Sequence, residues 1–130
     1  SLIHKCYLAK QNNEMFVVKG SGKPLRQFIY SNDLANLILY VVQKYNESVP
    51  LILSNNEEIS IKDVATLIAK QFDYVHKMQF DETYSDGQYK KTADNSKMKT
   101  LFPNYKFTDI ETGLIETIRW FSHNYDDVRK

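Results

Sequence analysis

The sequence predicts a single mixed α/β domain, α+β when taken in isolation, in which a small sheet of short strands packs against helices. Three observations carry that prediction. Apolar residues recur at helical spacing in several stretches, and β-branched apolar runs of only about four residues separate them. The 130 residues are 42% apolar and 25% charged, the balance of a chain that buries about two-thirds of its unfolded surface in one core. No repeat, low-complexity stretch or polar linker divides the sequence, so residues 1–130 read as one domain.

Along the chain, residues 2–10 read as a helix. Residues 15–18 are a short strand, residues 20–24 (Gly-Ser-Gly-Lys-Pro) break it, and residues 27–30 resume extended structure, which suggests a long hairpin. Ser31 is a good N-cap. Behind it Leu34, Leu37, Ile38, Val41, Val42 and Tyr45 fall on one helical face, expected to meet the core. Residues 50–53 resemble a buried strand. Ser60 caps the next helix, with Asp63 placed to return a bond, and Ile61, Val64, Ala65, Ile68 and Phe72 form its core face. Residues 77–80 are a further strand and 81–93 a long polar loop around Asp86-Gly87. Asp94 or Asn95 opens a short helix that ends before Pro103. Thr108-x-x-Glu111 is a capping box for the last helix, whose stripe is Ile110, Leu114, Ile118, Phe121 and Tyr125. The charged tail, 126–130, is expected to fray.

Seventeen Lys and Arg against sixteen Asp and Glu leave a net charge of +1, too balanced for a general nucleic-acid or membrane-surface binder. No apolar run approaches the roughly 20 residues that cross a bilayer, and no secretory signal is visible. The single cysteine, Cys6, has no internal partner, which fits a reducing compartment and a cytoplasmic location.

Several patterns mimic catalytic motifs and fail on spacing. Gly20-x-Gly22-Lys23 lacks the four residues between the glycines of a phosphate loop, and Pro24 sits where its Ser or Thr belongs. Tyr40 and Lys44 have Y-x-x-x-K spacing, but no glycine-rich dinucleotide turn precedes them, so they read as a helix-surface pair. His4 and Cys6 lie about 200° apart around a helix and cannot share a metal. His76 and His123 have no ligand at suitable spacing, so no metal is expected. Asp81, Glu82 and Asp86 lack the alternation of a calcium loop, and the Asn46-Glu-Ser48 sequon reads as chance. What remains is a set of cations, Lys5, Lys19, Lys23, Arg26, Lys90 and Lys91, at helix ends and in two long loops. Convergent cations without a global excess suit a compact anion such as a diphosphate; ordinary solvated surface charge is the alternative.

The run from Val18 to Ala35, with its Gly-Ser-Gly turn, Arg26 and Tyr30-Ser-Asn-Asp33, resembles the carboxy-terminal half of the extended short-chain dehydrogenases. Ser85-Asp-Gly-Gln-Tyr-Lys-Lys-Thr92, then Asp94 to Lys97, the ending from Glu116 to Tyr125 and the opening Leu2 to Lys5 narrow the resemblance. Together they point to the NADPH-dependent epimerase-reductases that convert GDP-4-keto-6-deoxy-mannose to GDP-L-fucose. The resemblance covers essentially the whole chain.

It implies that the chain is the carboxy-terminal, substrate-binding lobe. The NADPH turn, the catalytic Ser, Tyr and Lys, and the epimerase Cys and His of such enzymes would lie upstream, so no catalytic or cofactor-binding residue is expected among residues 1–130. Cys6 and His4 are then not the epimerase pair. The expected ligand is a GDP-sugar, with no nucleic-acid or membrane partner; the full-length enzyme would be a homodimer and the lobe alone a monomer. Position by position, Lys5 falls on a substrate-contacting cation, Arg26 on the arginine that meets the diphosphate and Asp86 on the loop aspartate that holds ligand hydroxyls. Lys91 supplies a second cation. Lys19 stands where the family usually has a tryptophan that presents a flat face to the ligand. A lobe of another nucleotide-sugar epimerase or dehydratase, and a non-catalytic nucleotide-sugar binding module, are the alternatives.

Overall fold

The computed structural model describes residues 1–129. The elements follow in the order α1 (Leu2–Gln11), β1 (Phe16–Lys19), β2 (Leu25–Arg26), α2 (Ser31–Lys44), β3 (Ile59–Ser60), α3 (Ile61–Gln71), β4 (Met78–Asp81), α4 (Ser96–Leu101) and α5 (Ile110–His123), with a 3₁₀ turn at Val75–Lys77 before β4. The mixed class is the predicted one. The strands form two small ladders: β1 with β4 in parallel, and β2 with β3 antiparallel.

Parallel strands need a long crossover, and the segment between β1 and β4 contains α2 and α3. The β1 side chains alternate, so Phe16 and Val18 face inward and are buried while Lys19 is exposed. They meet Cys6 and Ala9 of α1, Val64, Ala65 and Ile68 of α3, and Ile118 of α5 in one core cluster. Full burial of a side chain such as Phe16 contributes about 2–3 kcal/mol. The expected face of α3 is the observed one, and Ser60 caps it, its hydroxyl accepting from the Asp63 N–H at 3.0 Å. Helices α1 and α3 end alike. Asn13 and Asp73 adopt left-handed backbone at φ 55° and 52°, which short polar side chains tolerate best after glycine. The Tyr74 hydroxyl ties the two ends together by donating to the carbonyls of Glu14 at 2.6 Å and Ala9 at 3.2 Å.

Four local expectations are corrected. The strands around residues 20–24 do not form a hairpin with each other. The Gly22 and Pro24 carbonyls instead accept from the Lys62 and Ile61 N–H groups at 2.9 and 3.0 Å. The loop therefore serves as a cap for α3, satisfying amides that a helix start leaves open. Residues 50–53 pair with no strand. Side-chain amides take the carbonyls just beyond them, Asn95 donating to Ser54 at 3.0 Å and Gln27 to Asn55 at 2.9 Å. Helix α2 begins at Ser31, with Tyr30 at the cap position and no side-chain cap. The side chain at its start that matters is Asp33, buried at 5% exposure. Its carboxylate accepts from the Thr108 N–H at 2.8 Å and from the Thr108 and Tyr105 hydroxyls at 3.1 Å each. With Thr108 so engaged, Asp109 caps α5, accepting from the Glu111 and Thr112 N–H groups at 3.0 and 3.2 Å.

The expected core face of α2 is also only partly buried. Leu37 is fully buried, whereas Ile38 and Val42 are 47% and 75% exposed. The helix carries two apolar stripes, and the one through Ala35, Ile38, Leu39 and Val42 is exposed. At the other end of the chain, Asp127 and Val128 donate to the Asn124 carbonyl at 2.9 and 3.1 Å, forming a turn where a fraying tail is expected. Lys130 lies outside the described residues. Among those residues no helix is long and apolar enough to cross a membrane.

Candidate functional site

The register of β1 and β4 sets Lys19 beside Asp81, so the loops that leave the two strands emerge together. The loop after β1 carries Ser21, and the loop after β4 carries Asp86. Their side chains meet: one Asp86 oxygen accepts from the Ser21 N–H at 2.7 Å and the other from its hydroxyl at 2.6 Å. The Ser21 hydroxyl in turn accepts from the Lys23 N–H at 3.1 Å. The Ser21 hydroxyl, then its N–H, hold the Asp86 carboxyl below the usual carboxylate range, with a smaller contribution from the Lys23 charge. Gly20 makes this approach possible. Its backbone is left-handed at φ +94°, and a Cβ there would lie 2.5 Å from an Asp86 carboxylate oxygen.

A cavity of about 300 Å³ opens beside this contact, lined by Lys5 of α1, Lys19 of β1, Arg26 of β2 and Ser85 and Asp86 of the loop, with Val18, Gly22 and Pro24 among the remaining walls. Four of the five site residues expected from sequence therefore converge on one hollow. Lys91, the fifth, is exposed and does not line it. Its neighbour Lys90 turns to Glu58 at 3.3 Å, while the Lys90 backbone bridges to Leu25.

The charge balance of the cavity follows from the partners of these groups. One Arg26 nitrogen donates to the Leu25 carbonyl at 2.7 Å, and its other donors have no bond to described residues. The Lys19 ammonium lies 4.3 Å from the centre of the Tyr84 ring. Among the described residues, the ion pairs are Lys90–Glu58, Lys97–Glu47 and Arg119–Glu116, so none of the three cavity cations is in an ion pair. The one carboxylate at the cavity is held by Ser21. Three cations against one carboxylate leave this small hollow net positive, which attracts an anion, and the planar guanidinium suits one with paired oxygens.

Sequence reasoning did not find Ser21, Gly20 or Tyr84. Ser21 and Asp86 are 65 residues apart, and only the parallel register joins them, so spacing carries no signal for the pair. The turn after β1 leads into β2 and not into a helix, and the carbonyls of Gly22 and Pro24 occupy the leading amides of α3. A dinucleotide turn needs a strand, a glycine turn and an open helix start, so this glycine turn does not fit a nicotinamide dinucleotide.

Residues 1–55 match the NAD dependent epimerase/dehydratase family model. The fold is that of the extended short-chain dehydrogenases. The dTDP-glucose 4,6-dehydratase of Bacillus anthracis superposes on 98% of the chain with a TM-score of 0.82 at 19% identity, a likeness of fold alone.

Within that class the chain matches, nearly end to end, the carboxy-terminal part of GDP-L-fucose synthases. The GDP-L-fucose synthase of Dictyostelium discoideum is 50% identical over 131 residues, covering 99% of this chain and 41% of the relative. A probable GDP-L-fucose synthase of Drosophila melanogaster is 46% identical over 122 residues, 92% of this chain and 38% of the relative. The crystal structure of a GDP-L-fucose synthetase from Naegleria fowleri bound to NADP superposes with a TM-score of 0.95 at 46% identity, over 99% of this chain and 41% of that one. The chain spans about two-fifths of the length of these relatives.

Proposed function

We propose that this chain is the substrate-binding lobe of an NADPH-dependent GDP-L-fucose synthase, a cytoplasmic enzyme that epimerises and reduces GDP-4-keto-6-deoxy-mannose. The observation that carries the reading is the cavity in which Lys5, Lys19 and Arg26 meet, none of them ion-paired, with Asp86 as the single carboxylate. In this reading Arg26 grips the diphosphate through parallel N–H donors, Lys5 adds charge, and Asp86 accepts bonds from sugar or ribose hydroxyls. Lys91 would contribute only as a more distant cation. NADPH and the groups that move protons and hydride belong to the part of the enzyme that this chain does not span. The lobe therefore orients the keto-sugar, and orientation is the part of the barrier reduction it supplies. The homodimer of the full enzyme would be built outside this lobe.

Calorimetric titration of GDP into the full-length protein tests the reading. Arg26→Ala should weaken binding about 10- to 100-fold, the range for a lost charge-assisted hydrogen bond, and Lys19→Ala should weaken it less. Equal losses, or preference for UDP or dTDP over GDP, would refute the assignment, the latter in favour of another nucleotide-sugar epimerase or dehydratase. The 130-residue chain alone should consume no NADPH.

A further inference from the structure

We infer that Tyr84, lying against the cavity-lining Lys19, is the stacking face for the planar base of the nucleotide. The inference rests on the nucleotide-sugar reading above and deepens it by naming what holds the base.

Three features place the ring in that role. Tyr84 immediately precedes Ser85 and Asp86, which line the cavity, and its ring lies 4.3 Å from the ammonium of Lys19, which lines it as well. The ring thus lies next to residues that line the hollow, without being one of them itself. Its position is fixed by a tight turn: the Tyr84 N–H donates to the Asp81 carbonyl at 3.3 Å, and the Thr83 N–H and hydroxyl donate to an Asp81 carboxylate oxygen at 3.1 and 2.5 Å. The ring is also available. Tyr84 is 47% exposed, and its hydroxyl makes no hydrogen bond to a described residue. Such an exposed aromatic, fixed in place beside a cluster of cations, matches the chemistry of a nucleotide, an anion joined to a flat aromatic base.

Lys19 fits the same arrangement. A lysine has no flat surface of its own to offer a base, but its ammonium on the Tyr84 ring holds the ring from one side by cation–π attraction. Anion binding then depends on Lys5 and Arg26, and base binding on Tyr84.

The two dependences separate in an experiment on the full-length protein with GDP and inorganic pyrophosphate as probes, both measured by calorimetry. Tyr84→Ala should weaken GDP about tenfold or more, the scale of one base–aromatic stack, and leave pyrophosphate within about twofold; Tyr84→Phe should retain both affinities. If Tyr84→Ala leaves GDP unchanged, or weakens GDP and pyrophosphate equally, the stacking role is refuted, the second result assigning Tyr84 to loop structure. A wild-type protein that binds pyrophosphate as tightly as GDP refutes this inference while leaving the anion site intact. A wild-type protein that binds neither refutes the underlying reading and this one with it.

Discussion

Replacing Asp33 by alanine should cost about 3 kcal/mol of folding stability. The figure follows from what its carboxylate holds. Three donors converge on it, the Thr108 N–H at 2.8 Å and the hydroxyls of Thr108 and Tyr105 at 3.1 Å, at a residue only 5% exposed. The hydroxyls can rotate to other partners, but the Thr108 amide cannot. A buried donor left unmade costs about 1–3 kcal/mol and a hydrogen bond to a charged group contributes about 1.5–3. Because one carboxylate serves all three donors, these do not simply add. With a urea slope of about 1.5 kcal/mol/M, the midpoint of equilibrium unfolding should fall by about 2 M at unchanged slope. The same variant has a local readout. Burial first, and the Asp33 carboxylate second, raise the Tyr105 phenol above the ordinary tyrosine range, so its NMR titration should move part of the way down in Asp33→Ala. An unfolding midpoint within about 0.3 M of wild type, or a Tyr105 titration that does not move, would refute the account of Asp33 as the clasp between α2 and the 105–108 segment.

Three further outcomes are expected. Ile68→Ala, at a position 2% exposed in the core, should cost about 2–5 kcal/mol in urea unfolding, and a loss below about 1 would mean that the core between α3 and β1 is poorly packed. Burial pushes the Cys6 thiol up to about 11, so iodoacetamide at pH 8 should label the native protein far more slowly than the urea-unfolded one; comparable rates would contradict its burial. The Asp86 carboxyl is held low by Ser21, so the Ser21–Asp86 contact is present above the ordinary carboxylate range and lost as pH falls through the lowered value. In Ser21→Ala the NMR titration of Asp86 should shift upward, and an unshifted curve would assign the perturbation elsewhere.

The parts of this molecule legible in its sequence are those set by local rules. The α3 stripe and its Ser60 cap depend on residues within a turn or two of each other, and they fold as read. The convergence of Lys5, Lys19, Arg26 and Asp86 was legible only through resemblance, since no spacing rule joins α1, two strands and a loop. What stayed hidden was pairing at long range. A two-residue strand such as β2 has no intrinsic preference for β3 over β1, and its partner is decided by where the 20–24 loop is needed as a cap. Thr108 illustrates the same competition, because a sound capping residue was drawn away by a buried carboxylate 75 positions earlier. The apolar pattern of α2 gave the helix but not which stripe the lobe would cover, because periodicity does not distinguish the two.

The absent side chain at position 20 has a consequence for anyone altering ligand preference here. Two surface segments that look independently variable behave as one part, because bulk introduced in the first evicts the anchoring oxygen of the second. Libraries that randomise one segment at a time would sample mostly broken combinations, whereas joint variation of residues 20, 21 and 86 would search the arrangements that can still close.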